Sequence, residues 1–219
     1  MPTVVIASPK GGAGKSTTAV LLGTELAHAG ANVVMLDSDP NQSLTLWADR
    51  GPLPDRISVL SSVSESEVVK TIKRHDTDGQ IVIVDLEGVA SRLVSRAISQ
   101  ADLVITPMRA TTLDATIGVR ALQLISEEEE ALDRKIPHAV VFTMTKAIRS
   151  KQHSGIASSL AAQGVDLIMP PLMERAAFSA LFEFGGDLHT MPAQGNMEGA
   201  IENAAQFAQA VYQRLAGEM

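Results

Sequence analysis

Two lysines, three glycines and two hydroxyl residues crowd into one short segment near the N-terminus, Pro9-Lys10-Gly11-Gly12-Ala13-Gly14-Lys15-Ser16-Thr17. Glycines let a backbone bend so that several N–H groups point inward, and a helix starting at the bend adds the positive end of its dipole. Such a cradle suits an anion with many acceptor oxygens, above all a nucleoside triphosphate. Lys15 would reach the β and γ phosphates, and the Ser16 hydroxyl would ligate Mg²⁺. The common phosphate-loop pattern asks for glycine at position 9, where this chain has Pro9 and then an additional lysine, Lys10. The segment therefore reads as a variant phosphate loop, too long and too well placed for a glycine-rich turn without a ligand.

Three carboxylates belong with it. Val33-Val34-Met35-Leu36-Asp37-Ser38-Asp39-Pro40 is an apolar run ending in two acids, and Ile81-Val82-Ile83-Val84-Asp85 ends in one. Ligands of open α/β sheets bind beyond the carboxyl ends of the strands, so these acids should meet the loop at one edge. Each could alternatively cap the helix that follows. Mg²⁺ keeps several waters and takes few direct protein ligands, so Asp37 and Asp85 read as holding it through water. Asp39 is then free to orient an attacking water, a task in which position matters more than basicity. In Asp85-Leu86-Glu87-Gly88 the glycine N–H has the spacing to sense a γ-phosphate, although an ordinary turn fits equally well.

These groups need a scaffold, and the chain supplies one. Short β-branched runs at Val4 to Ala7, Val33 to Leu36, Ile57 to Leu60, Ile81 to Val84, Leu103 to Thr106, Ala139 to Thr143 and Val165 to Met169 alternate with amphipathic stretches. The stretches predict helices over Lys15 to Ala29, Ser64 to His75, Ser91 to Ser99, Thr112 to Leu132, Ser150 to Gln163, Glu174 to Phe184 and Glu198 to Leu215. Most of the short runs are apolar throughout, as in strands buried on both faces of a parallel sheet. The fold class is α/β: a doubly wound, mostly parallel sheet flanked by helices, here a single domain over residues 1–219. Gly30, Gly164 and Gly185 each follow a helical pattern as a C-terminal glycine would.

Composition narrows the functions available. Apolar residues make up 45% of the 219 and charged residues 20%, as in a soluble globular protein. The N-terminus opens on a strand-like run without the basic flank and cleavage site of a signal peptide, which predicts a cytoplasmic location. With no cysteine, thiolate metal sites, iron–sulfur clusters and disulfides are excluded. A net charge of −7 argues against a wholly basic surface but leaves room for a local patch.

With Lys10, the loop from Gly11 to Thr17, the Asp37-Ser38-Asp39-Pro40-Asn41 segment and Asp85, the sequence resembles the ParA/MinD family of deviant Walker ATPases, most closely the small ParA type. Thr106-Pro107 followed by Leu113-Asp114, and Glu174-Arg175-Ala176-Ala177-Phe178, resemble later segments of that family. The resemblance implies an ATP-sandwich homodimer in which Lys10 crosses to the partner's phosphates. It also implies adenine contacts from Thr145 and Pro170, and an adaptor of ParB type that stimulates hydrolysis. Two departures stand out: Thr143-Met144-Thr145-Lys146 where an asparagine is frequent, and Leu86-Glu87-Gly88 where Thr-Pro-Pro is common.

The leading expectation is an ATPase for partition or cargo positioning that binds nonspecific duplex DNA as a dimer. Candidate phosphate contacts are Arg92, Arg96, Arg120, Lys146, Arg149 and Lys151, with Arg149 and Lys151 preferred. Aromatic residues, at 3%, are too few for a single-strand stacking platform. A MinD-like membrane switch would need a basic amphipathic C-terminus, but Gln206 to Leu215 has one basic residue and reads as a packing helix, so a membrane partner is not expected. A metabolic phosphotransferase on a related fold would have no use for Lys10. The loop reading is tested by Lys15→Ala, which should abolish tight ATP binding; an affinity within about threefold of wild type would overturn it.

Overall fold

The computed structural model describes residues 2–61, 63–76, 79–88, 91–146 and 151–217, apart from the side chains at 115, 117, 151 and 152. Strands β1 (Thr3–Ile6), β2 (Asn32–Ser38), β3 (Ile57–Leu60), β4 (Gln80–Leu86), β5 (Leu103–Arg109) and β6 (His138–Thr143) pair in parallel in the order β3-β2-β4-β1-β5-β6. Parallel neighbours need a crossover between them, and the amphipathic stretches supply it. The helices are α1 (Lys15–His28), α2 (Ser43–Ala48), α3 (Val68–His75), α4 (Arg92–Ile98), α5 (Thr112–Leu132), α6 (Lys151–Ala162), α7 (Ala176–Phe184) and α8 (Met197–Ala216).

The period-2 geometry of a strand sends alternate residues to opposite faces, and both faces are covered. Val4, Ile6, Met35 and Ile83 pack under α1, α2, α7 and α8 with Leu22, Trp47, Leu181 and Phe207. Val5, Val34, Leu36, Val84 and Val104 face the other way, under α3, α4 and α5 with Ile72, Val94, Ile98 and Ile125. Both layers being dry explains why the strands are apolar throughout rather than alternating. In the C-terminal helix α8, Ala204, Phe207, Ala208 and Val211 are all buried, as a packing helix requires. Among the described residues no helix is long and apolar enough to cross a membrane.

Two elements depart from expectation. The run Val165 to Met169 forms no strand beyond an isolated bridge between Val140 and Leu167. Val140 N–H donates to Asp166 O and Ile168 N–H to Val140 O, so the chain begins to follow β6, and Leu172 N–H donates to Phe142 O further on. Between these contacts stand Pro170 and Pro171, which have no N–H to give a ladder. Arg214 of α8 holds the segment instead, with Nε and Nη2 donating to the two Asp166 oxygens at 2.6 and 2.8 Å.

Helix α2 has no counterpart among the expected elements, because six residues are too few to show a helical period. It is specified by tertiary contacts. Leu44 and Trp47, three apart, are both fully buried, and the indole Nε1 donates to Gly186 O at 2.9 Å. The chain after α7 passes so close that a Cβ on Gly51 would lie 2.8 Å from Phe184 O, which only glycine avoids. The expected starts of α3 and α7 also shift: Ser64 to Glu67 form a turn, and Glu174 N–H is drawn away to Thr145 O.

Trp47→Ala should therefore lower unfolding stability by about 3–5 kcal/mol, while Trp47→Phe, which mainly leaves Gly186 O unpaired, should cost about 1–3 kcal/mol. Denaturant titration reads both, and a loss below about 1 kcal/mol for the alanine variant would show that α2 is not fastened through Trp47.

Candidate nucleotide site

Strand β1 lies inside the sheet between β4 and β5, and its carboxyl end feeds the loop into α1. Gly12 and Gly14 adopt left-handed φ of 71° and 88°, which L side chains rarely take. The loop's carbonyls are engaged from outside. Thr143 Oγ1 donates to Ala13 O at 2.8 Å, Arg109 Nη2 to Gly12 O at 3.3 Å, and Thr18 gives both N–H and Oγ1 to Gly14 O at 2.8 Å. No N–H from Lys10 to Gly14 donates to another group among the described residues. Donors left uncommitted at the start of a helix are what a phosphate cradle requires.

The acids assemble by register. Asp37 of β2 pairs with Asp85 of β4, and Asp85 with Ile6 of β1, so both carboxylates emerge beside the loop on the α1 side of the sheet. Asp85 is fully buried, and neither of its oxygens makes a hydrogen bond among the described residues. Burial pushes its carboxyl up to about 7; the Ser16 hydroxyl and the Lys15 charge pull the other way, and Asp37 and Asp39 add to the rise. A buried, unpartnered carboxylate beside a hydroxyl fits a hydrated Mg²⁺, which takes few protein ligands. Ser16 and Asp85 would hold the ion, which neutralises charge on the phosphates when bound.

Asp37 has tasks that sequence reading missed. Its Oδ2 accepts from Thr45 N–H and Thr45 Oγ1, both at 2.8 Å, and its Oδ1 accepts from Asp39 N–H at 3.3 Å. It fastens α2 to the end of β2, whatever water it also orients. Asp39 is held as an Asx turn, with Oδ1 accepting from Asn41 N–H and Nδ2 at 2.9 Å. Its other oxygen lies 3.9 Å from Lys15 Nζ, on a lysine only 7% exposed. Asp39 is thus aimed at the place Lys15 reaches.

Lys10 does not join this group. Its ammonium pairs with Asp114 of the same chain, on the first turn of α5. Asp114 also meets the N-cap of α5: Thr111 Oγ1 accepts from Asp114 N–H at 3.1 Å and donates to Asp114 Oδ2 at 2.6 Å. Burial works to raise the Asp114 carboxyl, but hydrogen bonds from Lys10 and Thr111, with the Lys10 and Arg109 charges, outweigh it and hold it below the ordinary carboxylate range. Gly88 lies against the loop, where a Cβ would stand 3.4 Å from Gly11 N and 3.6 Å from Lys15 Nζ.

Thr145 and Pro170 do come together, on a cleft of about 250 Å³ that Lys146, Met173, Arg175 and Asn203 also line. Thr145 Oγ1 is committed to Leu172 O at 3.3 Å. A neighbouring cleft shares Met173 and Arg175 and reaches Gly14, Thr17 and Thr143 at the loop. Asn203 braces the segment that carries Met173: its Oδ1 accepts from Met173 N–H and its Nδ2 donates to Pro171 O, each at 2.9 Å. Asn203, Thr143 and Arg109 carry no motif, since each acts on backbone remote in sequence. Arg149 lies outside the described residues, as does the side chain of Lys151.

The two strand-end acids should separate in metal-free protein. Asp37→Asn removes an acceptor from Thr45 and should cost about 1–3 kcal/mol of stability, whereas Asp85→Asn relieves a buried unpartnered charge and should be neutral or stabilising. Denaturation in EDTA measures both, and equal losses would show that the acids share one role.

The family model for VirC1 protein matches residues 1–213. A Rhizobium radiobacter protein named Protein ParA is 67% identical over 217 residues, 98% of each chain. Among solved structures, an ATP complex of Cyanothece McdA superposes with a TM-score of 0.76 at 18% identity, covering 99% of this chain and 96% of that one. A putative plasmid partition protein of Borrelia burgdorferi, bound to AMPPNP, gives 0.73 at 17% identity, covering 97% and 99%. Identities that low speak for the fold alone, a mostly parallel sheet flanked by helices with a phosphate loop after its first strand. The relative matched along its whole length and the family model go further: this chain belongs to the VirC1/ParA family of P-loop proteins.

Proposed function

We propose that the protein is an ATP-dependent dimerising switch for DNA partition or cargo positioning. It binds ATP with Mg²⁺ at the loop from Lys10 to Thr17, pairs with a second copy, and hydrolyses slowly until an adaptor of ParB type stimulates it. The dimer holds duplex DNA through phosphates without base readout. The name of the full-length Rhizobium radiobacter relative supports the ParA-type role.

The observation that carries the reading is the position of Lys10. It stands at the loop yet pairs with Asp114, away from the Lys15–Asp39 pair. A lysine held at the rim is placed to serve another chain's phosphates, and a cation supplied in trans is worth about 10³–10⁵ in the rate of phosphoryl transfer in well-studied switches. Leu113, next to Asp114, is 64% exposed, the highest value among the large apolar side chains described, which suits a face that a second copy covers. Asp39 then orients the attacking water, and Thr145 and Pro170 border the adenine. Against a membrane surface as partner stands α8, whose apolar side is already buried within the fold.

Size-exclusion chromatography with ADP, ATP and a slowly hydrolysed analogue, with and without duplex DNA, tests the reading. Wild type should dimerise with ATP or the analogue and only then retain DNA, with affinity falling steeply as salt rises. Lys10→Ala should keep ATP affinity within about threefold and lose the dimer, because its charge acts across the interface. Asp39→Ala should accumulate the ATP dimer with little turnover. A Lys10→Ala protein that still dimerises and hydrolyses at the wild-type rate would overturn the proposal.

A further inference from the structure

On the sheet face opposite α1, behind the phosphate loop, lies a cavity of about 300 Å³ lined by residues of three elements and two loops. Val94 and Ile98 of α4 and Ala121, Leu124 and Ile125 of α5 form an apolar bed. Ala7, Ser8 and Pro9, which lead into the phosphate loop, close one side, and Glu87 and Gly88 close another. No residue from Lys10 to Thr17 lines it, and neither Thr145 nor Pro170 does, so it is separate from the nucleotide clefts.

Its few polar groups are uncommitted. Thr106, on β5, lines the cavity with a side chain only 1% exposed, and its hydroxyl has no hydrogen-bond partner among the described residues. A buried hydroxyl without a partner is costly, and a ligand atom in the cavity would supply one. Arg120 extends from α5 at the exposed edge and makes no ion pair or hydrogen bond among the described residues. Glu87 contributes a negative charge from the switch side.

We propose that this cavity binds a small, largely apolar molecule carrying a single carboxylate. The apolar body lies on Val94, Ile98, Leu124 and Ile125, the Arg120 guanidinium takes the carboxylate in the fork geometry that suits it, and Thr106 gives the inner hydrogen bond. Glu87 selects against a second negative charge. Because Pro9 and Gly88 are walls of the cavity and even a Cβ added at Gly88 would come within 3.4 Å of Gly11 N, an occupant bears on the phosphate loop from behind. The nucleotide-binding reading is not needed for this site, and its test uses protein without nucleotide.

The probes are 3-phenylpropionate, its neutral amide and the dianion phenylsuccinate, titrated by calorimetry and by NMR. Wild type should bind 3-phenylpropionate saturably and the amide and phenylsuccinate about three- to tenfold more weakly, and Arg120→Gln should erase the preference for carboxylate over amide. Leu124→Trp and Ala121→Phe, which fill the cavity, should each abolish binding of all three. Thermal unfolding of each variant establishes that it is folded, and the two filling variants are independent of one another. Absence of saturable binding to wild type, equal binding of amide and carboxylate, or binding that survives in a folded filling variant would overturn the proposal.

Discussion

The phosphate loop is held by its carbonyls. Thr143, Arg109 and Thr18 occupy the oxygens of Ala13, Gly12 and Gly14, while the N–H groups from Lys10 to Gly14 donate to nothing among the described residues. A backbone that satisfied its own N–H groups could not bind phosphate, so those groups have to stay free while the loop remains ordered. That requirement reaches into the fold. It needs β5 beside β1 and β6 beyond it so that Arg109 and Thr143 arrive at the right height, and it needs β4 on the other side to bring Gly88 near Gly11. The strand order with β1 inside meets both needs.

Burying like charges beside the loop has its own consequence. Asp37 and Asp85 emerge as register partners from adjacent strands, yet their surroundings divide their work. Asp37 is satisfied locally by hydrogen bonds from Thr45 of α2, and Asp85 is left without a hydrogen-bond donor among the described residues. The same residue type at equivalent strand ends becomes a brace in one case and, in the other, a carboxyl that burial pushes up.

Much of this was legible in the sequence, for a physical reason: the strands are buried on both faces and therefore apolar throughout, and the loop's chemistry demands a contiguous run of glycines and lysines. Six of the expected strands and the helices between them appear with ends shifted by a few residues. What escaped depends on contacts between distant segments. Helix α2 exists because Trp47 finds Gly186 and Asp37 finds Thr45. The run after Gly164 looked like a strand by composition, but the prolines that follow it withhold ladder donors, a restriction that hydropathy does not register. Thr143 and Asn203 were invisible as site residues because their partners are backbone atoms more than twenty residues away. Lys10 was recognised as unusual; that its own chain provides its resting partner was not.

Asp114 gives that resting place an energetic character. It is hydrogen-bonded to the N-cap hydroxyl of Thr111, on the first turn of α5 where the helix dipole favours negative charge, and the Arg109 charge acts on it too. If Lys10 departs, the carboxylate left behind still has Thr111, the helix end and Arg109 to stabilise it. That company lowers what a departure of Lys10 would cost, and with it the preference a ligand would need in order to draw the lysine away. A carboxylate with no other partner would hold its lysine more firmly than Asp114, which has other company, holds Lys10.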